Sequence, residues 1–302
     1  MSEKNINISV LMPVYNASRY LKNSVRSILN QTFREFEFLI IDDGSTDDSE
    51  EIVSSFSDSR IIYKKIPRSG LSAALNYGLE IASGDWIARI DADDLNTPDR
   101  IRIQNDFILK NPEYNVVSGC SVYFRDPCEI LFVMKVPEFD SDIKNFLNLH
   151  NPVNHSAVMF NRKIICQNGG YNEQFSCFED FELWHRLKDK LNFRILPEYL
   201  VFTRLHSRSH SYKADREKIY RMLSDNNQEN DLFWVEYFYG NRKECRKYFF
   251  EEFSLRKLTA FVISFFPLKV ADSITELRLM SRIKTKRADK KKFEVELKKL
   301  LL

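Results

Sequence analysis

The stretch "DWIARIDADDLNTPDR", residues 85–100, decides the fold. It begins as an apolar run of β type and breaks into a bend carrying Asp91, Asp93 and Asp94. A helix start follows at once, with Thr97 as its expected cap, Pro98 in its first turn and "IRIQNDFILKN" as its body. A strand that ends in clustered acids and passes directly into a helix is one unit of an alternating α/β chain.

The same unit recurs upstream. "ISVLMPV" is followed by "ASRYLKNSVRSILNQ", whose Tyr20, Leu21, Val25, Ile28 and Leu29 recur at helical spacing. "EFEFLIIDD" is nearly continuously apolar, as a strand buried on both faces must be, and "STDDSEEIVSSF" follows as a helix with acids in its first turn. "RIIYKK" precedes "GLSAALNYGLEIAS", a helix expected to close at Gly84. The order βαβαβαβα predicts a doubly wound, mostly parallel sheet with helices on both faces. Such sheets bind ligands at the carboxyl ends of their strands. Pro13-Val14-Tyr15-Asn16, Asp42-Asp43-Gly44-Ser45 and the 91–94 bend all fall at such ends.

Beyond about residue 115 the pattern changes. "VVSGCSVYF" and "EILFVMKV" read as strands around a turn at Asp126-Pro127, and "HSAVMFN" as a short strand. "EDFELWHRLKDK" reads as a helix burying Phe181, Leu183, Trp184 and Leu187, and "FRILPEYLVFTRLH" as strand, turn, strand. This mixed half completes one domain over residues 1–240. Residues 241–302 form a basic, amphipathic helical region. Its uncharged "LTAFVISFFPL" is shorter than the roughly 20 residues a bilayer crossing needs, but can lie in the interface.

Composition narrows the class. A net charge of +2 over 302 residues gives no general attraction to nucleic acid. Five scattered cysteines make no C-x-x-C pair, which suits reduced thiols in a cytosolic protein. The polar start "MSEKNINISV" has no signal-peptide core. His150, His155 and His185 have no metal-ligand spacing; His155 suits either an acceptor-side or a structural role. His206 and His210 are four apart but fall outside a helix, so they do not read as a zinc pair.

Clustered carboxylates repel and raise one another's pKa unless something compensates. Mg²⁺ or Mn²⁺ does so, taking one or two carboxylates and filling its other positions with phosphate and water. An EF-hand is excluded, because Asn96 stands where its glycine must be. Helix capping accounts for Asp99 and for Asp94, but not for Asp91 and Asp93. At the second strand end Gly44 permits a tight turn, while Asp42 and Asp43 can either cap or accept the N–H of a base or a ribose hydroxyl.

Five stretches together carry a family pattern: "SVLMPVYN", "SVRSILNQTFREFEFLIIDDGSTDDS", "SGLSAALNYGLEIASGDWIARIDADDLNTPDRI", "NPVNHSAVMF" and "FEDFELWHRL". In this order, across residues 8 to 206, they resemble the family 2 glycosyltransferases of the GT-A fold, and most of all bacterial transferases of O-antigen, capsule or exopolysaccharide units. The resemblance implies an inverting transfer of one sugar from a UDP-linked donor, with Mn²⁺ or Mg²⁺, to a saccharide on a polyprenyl diphosphate. It implies that Pro13 and Tyr15 pack on the nucleobase and Asp43 reads it, with Asp42 beside it. Asp93 is the expected direct metal ligand, Asp91 lies nearer the ribose or a metal-bound water, and His206 meets the metal or diphosphate. Asp180 is the expected general base. Arg68-Ser69-Gly70 departs from the pattern, since many relatives carry Asn where Arg68 stands, and Arg68 reads best as solvated. No Gln-x-x-Arg-Trp motif of processive synthases is present.

Two other functions share parts of this pattern. A nucleotidyltransferase would show a Gly-rich basic loop early in the chain, which "MPVYNAS" lacks. An inactive nucleotide-binding scaffold would not need Asp91, Asp93 and Asp180 together. The basic tail suits either a solvated helix or anionic lipid on the inner face of the cytoplasmic membrane.

Overall fold

A computed structural model describes residues 7–133, 136–148, 151–175, 177–206 and 287–301. The expected "LTAFVISFFPL" segment, the boundary near residue 240, His150, His210 and Cys245 lie outside the described residues. Strands β1 (Ile8–Val14), β2 (Phe36–Asp42), β3 (Ile61–Lys65) and β4 (Trp86–Arg89) form a parallel sheet in the order β3-β2-β1-β4. Helices α1 (Ser18–Leu29), α2 (Ser49–Ser54) and α3 (Leu71–Ile81) make the crossovers. Alternation along each strand explains the continuous apolar runs. Val10, Met12, Phe38 and Ile40 pack with Val25 and Ile28 of α1. Leu11, Leu39 and Ile41 face the opposite layer, with Leu75 and Leu79 of α3.

After β4 the chain enters the acidic bend, a two-residue strand β5 (Leu95–Asn96) and helix α4 (Arg100–Lys110). The long strand β6 (Val116–Arg125) turns into β7 (Glu129–Val133) through the Asp126–Pro127 corner. Helix α5 (Asp140–Leu147), strand β8 (Met159–Asn161), helices α6 (Arg162–Gln167) and α7 (Glu179–Leu187) and strand β9 (Phe193–Arg204) complete the unit. The sheet continues β4-β8-β6-β9-β5, with β8 antiparallel to β4 and β6, β9 parallel to β6, and β5 antiparallel to β9. The expected α/β sheet with a mixed second half is the fold observed.

Four local expectations are corrected. Residues 193–204 are one strand, not strand, turn, strand. β6–β9 pairing steps from Gly119↔Leu196 to Cys120↔Tyr199, so Pro197, which has no N–H for a ladder, falls in an irregularity. Gly119 admits this, because a Cβ there would meet Leu200 Cδ1 at 2.4 Å. Gly84 does not close α3, which ends at Ile81 with Ala82 extended; a Cβ at Gly84 would lie 2.4 Å from the backbone nitrogen of Ser9. Thr97 does not cap α4, whose cap position is Asp99; its hydroxyl and its N–H instead both donate to Leu200 O. Lastly, α2 covers only half of its expected span.

The final helix, α8 (Arg287–Leu301), presses Phe293 and Leu297 into a separate apolar cluster of Leu95, Val122, Phe124, Ile130, Val133 and Phe202. This cluster backs the acidic bend, since Leu95 follows Asp94 directly. The Phe293 ring meets Tyr199 edge-on at 4.9 Å.

Candidate active site

The carboxyl ends of β1, β2 and β4 gather the predicted residues. Pro13 lies within β1 opposite Ile41, and Tyr15 just beyond it is 44% exposed. Asp42 is fully buried: Oδ1 accepts from Ser45 N at 2.6 Å and Oδ2 from the Tyr63 hydroxyl at 2.5 Å. Asp43 accepts from the backbone N–H of Ser69 at 2.6 Å and of Gly70 at 3.0 Å. It also pairs with Arg68. The Arg68 guanidinium lies 3.7 Å from the centre of the Tyr15 ring. Arg68 is therefore not simply solvated; it joins Tyr15 to Asp43. Sequence reading missed this because the partners lie 53 and 25 residues away along the chain.

At the acidic bend the three carboxylates bring oxygens within 4.8 Å of one another, and each has a different setting. Asp91 Oδ2 takes Arg89 Nη1 at 2.6 Å and the Ser156 hydroxyl at 2.8 Å. Burial acts to raise this carboxyl, but the charge and hydrogen bond of Arg89 outweigh it and hold it below the usual range. Asp94 is buried and accepts from Arg204 N at 2.8 Å. Burial first, then the charges of Asp93 and Asp91, push it well above the usual range. Asp93 is partly exposed, with Oδ2 2.8 Å from His206 Nε2. Arg204 fixes this corner from β9: its Nε donates to Asp93 O at 2.9 Å, its guanidinium pairs with Asp126, and it lies 4.4 Å from the Tyr20 ring centre. The same Tyr20 ring lies 5.1 Å from the His206 ring. Asp93, Asp91 and His206 could thus hold a divalent cation, as a set of hard oxygens with one imidazole.

The 151–157 segment meets this bend through the Ser156 hydroxyl on Asp91, and the start of α7 adjoins the same segment at His155. Asp180 stands in the first turn of α7, with Oδ1 accepting from Phe181 N at 2.8 Å and Oδ2 from Asn151 Nδ2 at 2.8 Å. Burial raises its pKa to about 6; the Glu179 charge adds to this, while His155 and Arg89 oppose it. His155 is buried and hydrogen-bonded to the Tyr171 hydroxyl at 2.8 Å, and its Nδ1 lies 3.4 Å from Glu179. Burial lowers its pKa to about 3, so the ring is neutral at physiological pH. Asp91 bonds Ser156 and Asp180 lies with Glu179 beside His155, so both carboxylates border the 155–157 turn. His185 is a buried member of α7, edge-on to Phe181.

One side chain fastens the end of β4 to the 156–158 segment. Arg100, fully buried, donates through Nη2 to Arg89 O at 2.8 Å and Val158 O at 2.9 Å. Through Nη1 it donates to Ser156 O at 2.7 Å and Asn96 Oδ1 at 2.6 Å, and through Nε to Gln104 Oε1 at 3.1 Å. Burial and the nearby Arg89 charge lower its pKa to about 9, which leaves it protonated at neutral pH.

This sheet, with an acidic bend at a strand end, defines the chain as a GT-A-type glycosyltransferase domain. It belongs to glycosyl transferase family 2, whose model matches residues 9–196. It is 31% identical over 210 residues to the O-antigen biosynthesis glycosyltransferase WbnJ of Escherichia coli, covering 67% of this chain and 81% of that one. It is 25% identical over 255 residues to an uncharacterized glycosyltransferase of Rickettsia conorii; the match takes in 78% of this chain but only 39% of that protein's length. Among solved structures it resembles Staphylococcus aureus TarS 1–349 in complex with UDP-GlcNAc, with a TM-score of 0.59 and 16% identity over 86% of this chain and 79% of that one. It also resembles the mannosyltransferase PcManGT of Pyrobaculum calidifontis in complex with GDP-Man and Mn²⁺, with a TM-score of 0.57 and 16% identity over 99% of this chain and 86% of that one.

Proposed function

We propose that this protein transfers one sugar, with inversion, from a UDP-linked donor to a saccharide carried on a polyprenyl diphosphate, in the assembly of a bacterial surface polysaccharide. The observation that carries the reading is the acidic bend at the end of β4, where Asp93 meets His206 and Asp91 meets Ser156 of the segment that also supplies Asn151 to Asp180. The O-antigen relative supports the acceptor class, and the TarS and PcManGT complexes support a nucleotide sugar with a divalent cation.

In this reading Pro13, Tyr15 and Arg68 enclose the nucleobase, and Asp43 accepts its N–H once Arg68 shifts aside. Asp42 holds the turn beneath them from its buried position. Asp93 and His206, with Asp91 nearby, would hold Mn²⁺ or Mg²⁺ for a diphosphate. A bound cation there supplies Lewis-acid neutralisation of charge on the leaving nucleotide. Asp180 takes the proton of the acceptor hydroxyl as that oxygen attacks the anomeric carbon from the face opposite the nucleotide. A carboxylate with a pKa of about 6 is ionised at neutral pH yet basic enough to receive that proton.

Lys291, Lys292, Lys298 and Lys299 are exposed on α8. We assign this face to the anionic inner surface of the cytoplasmic membrane, where each basic residue adds about 1 kcal/mol. No helix among the described residues is long and apolar enough to cross a membrane.

The test is a screen of nucleotide sugars for cation-dependent nucleotide release with lipid-linked acceptors. Asp93→Ala should lose cation-dependent UDP binding by calorimetry while keeping the wild-type melting curve. Release of sugar 1-phosphate instead of UDP would indicate nucleotidyl transfer and overturn the reading.

A further inference from the structure

Asn151 sits in a loop 29 residues upstream of Asp180 and is committed at both ends of its amide. Its Oδ1 accepts the N–H of Val153 at 3.0 Å, a local turn that fixes which way the amide points. Its Nδ2, a donor with no lone pair, is therefore the atom presented to Asp180 Oδ2 at 2.8 Å. The other carboxylate oxygen is held by Phe181 N–H at the start of α7. The Asp180 side chain is thus gripped from two elements, by donors alone.

We propose that Asn151 is the positioning residue of the catalytic base: its amide, locked by the Val153 turn, sets the rotamer of Asp180 and favours its ionised form. This rests on the reading of Asp180 as the base. A donor-only neighbour cannot share the proton that Asp180 receives, so the proton stays on Asp180 until it leaves to solvent. The charged and titratable groups around Asp180 are Glu179 on its own helix, His155 from the 155–157 turn, Arg89 from β4, Tyr171 from the loop before α7 and Tyr123 from β6. Glu179 lies against His155 Nδ1, and the His155 Nε2 meets Tyr171. Among the neighbours found in hydrogen bonds to the Asp180 side chain, Asn151 is the one contributed by a side chain.

Asn151→Asp is the informative variant. It keeps an oxygen for the Val153 N–H and the same shape, and replaces only the donor by a second carboxylate. Two carboxylates at that distance share a proton, so the pair should titrate with an upper apparent pKa at least about one unit above that of wild-type Asp180. The readout is ¹³C NMR of protein labelled at aspartate Cγ, with Asp180 assigned by the signal lost in Asp180→Asn. Turnover with the donor found in the screen should fall about twofold or more at pH 7, its acid limb should move to higher pH by about the same one unit, and the donor KM should stay unchanged. Should Asn151→Asp not fold, Asn151→Ala replaces it; loss of the donor raises the Asp180 titration there too. UDP binding in the presence of Mn²⁺ verifies the fold of either variant. Wild-type titration and turnover in the variants would overturn the proposal. An active Asp180→Asn would overturn the base reading instead, and the NMR titration would still judge the Asn151 contact by itself.

Discussion

Asp180→Asn should stabilise the protein at neutral pH while removing its turnover. In the folded chain burial raises the Asp180 pKa from 3.8 to about 6. A carboxyl group whose pKa rises on folding contributes stability that is fully present below its unfolded pKa. That contribution is lost as pH rises through the folded pKa. The window runs from about pH 4 to about pH 6, and the shift corresponds to at most about 3 kcal/mol, since one unit is worth about 1.4 kcal/mol. Asn has the same shape and no charge to bury, so the variant escapes this loss. Its single carbonyl oxygen can accept from Asn151 Nδ2 or from Phe181 N but not from both, and the lost bond, about 1 kcal/mol, offsets part of the gain equally at either pH. Urea unfolding of both proteins at pH 4.5 and pH 7.5, without nucleotide or metal, measures the difference. The expected result is a gain for Asp180→Asn at pH 7.5 that shrinks toward pH 4.5. A difference that does not vary with pH would refute a raised carboxyl at this position.

Two further variants probe the remaining parts. Arg68→Ala should weaken UDP binding several-fold in calorimetry yet change unfolding free energy by no more than about 1 kcal/mol, because the half-exposed Arg68 leaves Asp43 still bonded to Ser69 and Gly70; unchanged UDP affinity would remove Arg68 from the base site. Leu297→Ala empties a fully buried position between α8 and the cluster around Leu95. It should cost about 2–5 kcal/mol in denaturant unfolding, and a loss below 1 kcal/mol would mean that α8 is not seated there.

The parallel half of the sheet was legible because strands buried on both faces must be apolar at almost every position, and β1 and β2 are. The strand-end bends were legible because acids cannot cluster inside such a layer. What escaped was decided across the sheet. Pro197 signals a turn locally, but pairing with β6 carries the strand through it with a bulge. Thr97 and Gly84 have the residue types of helix ends, yet each answers a partner on another strand: Leu200 for one, Ser9 for the other. Asp42 and Asp43 are adjacent acids in the sequence. Only the fold separates them, one closed in by Tyr63 and Ser45, the other joined to Arg68. Asn151 opens the stretch "NPVNHSAVMF", but nothing in the sequence joined it to Asp180, which lies on a helix that begins 28 residues later.

Arg100 ties the carbonyls of Arg89, Ser156 and Val158 to one planar group. The strand that delivers the acidic bend and the segment that delivers Ser156 and His155 therefore share a rivet, and neither can slide without breaking several charged hydrogen bonds at once.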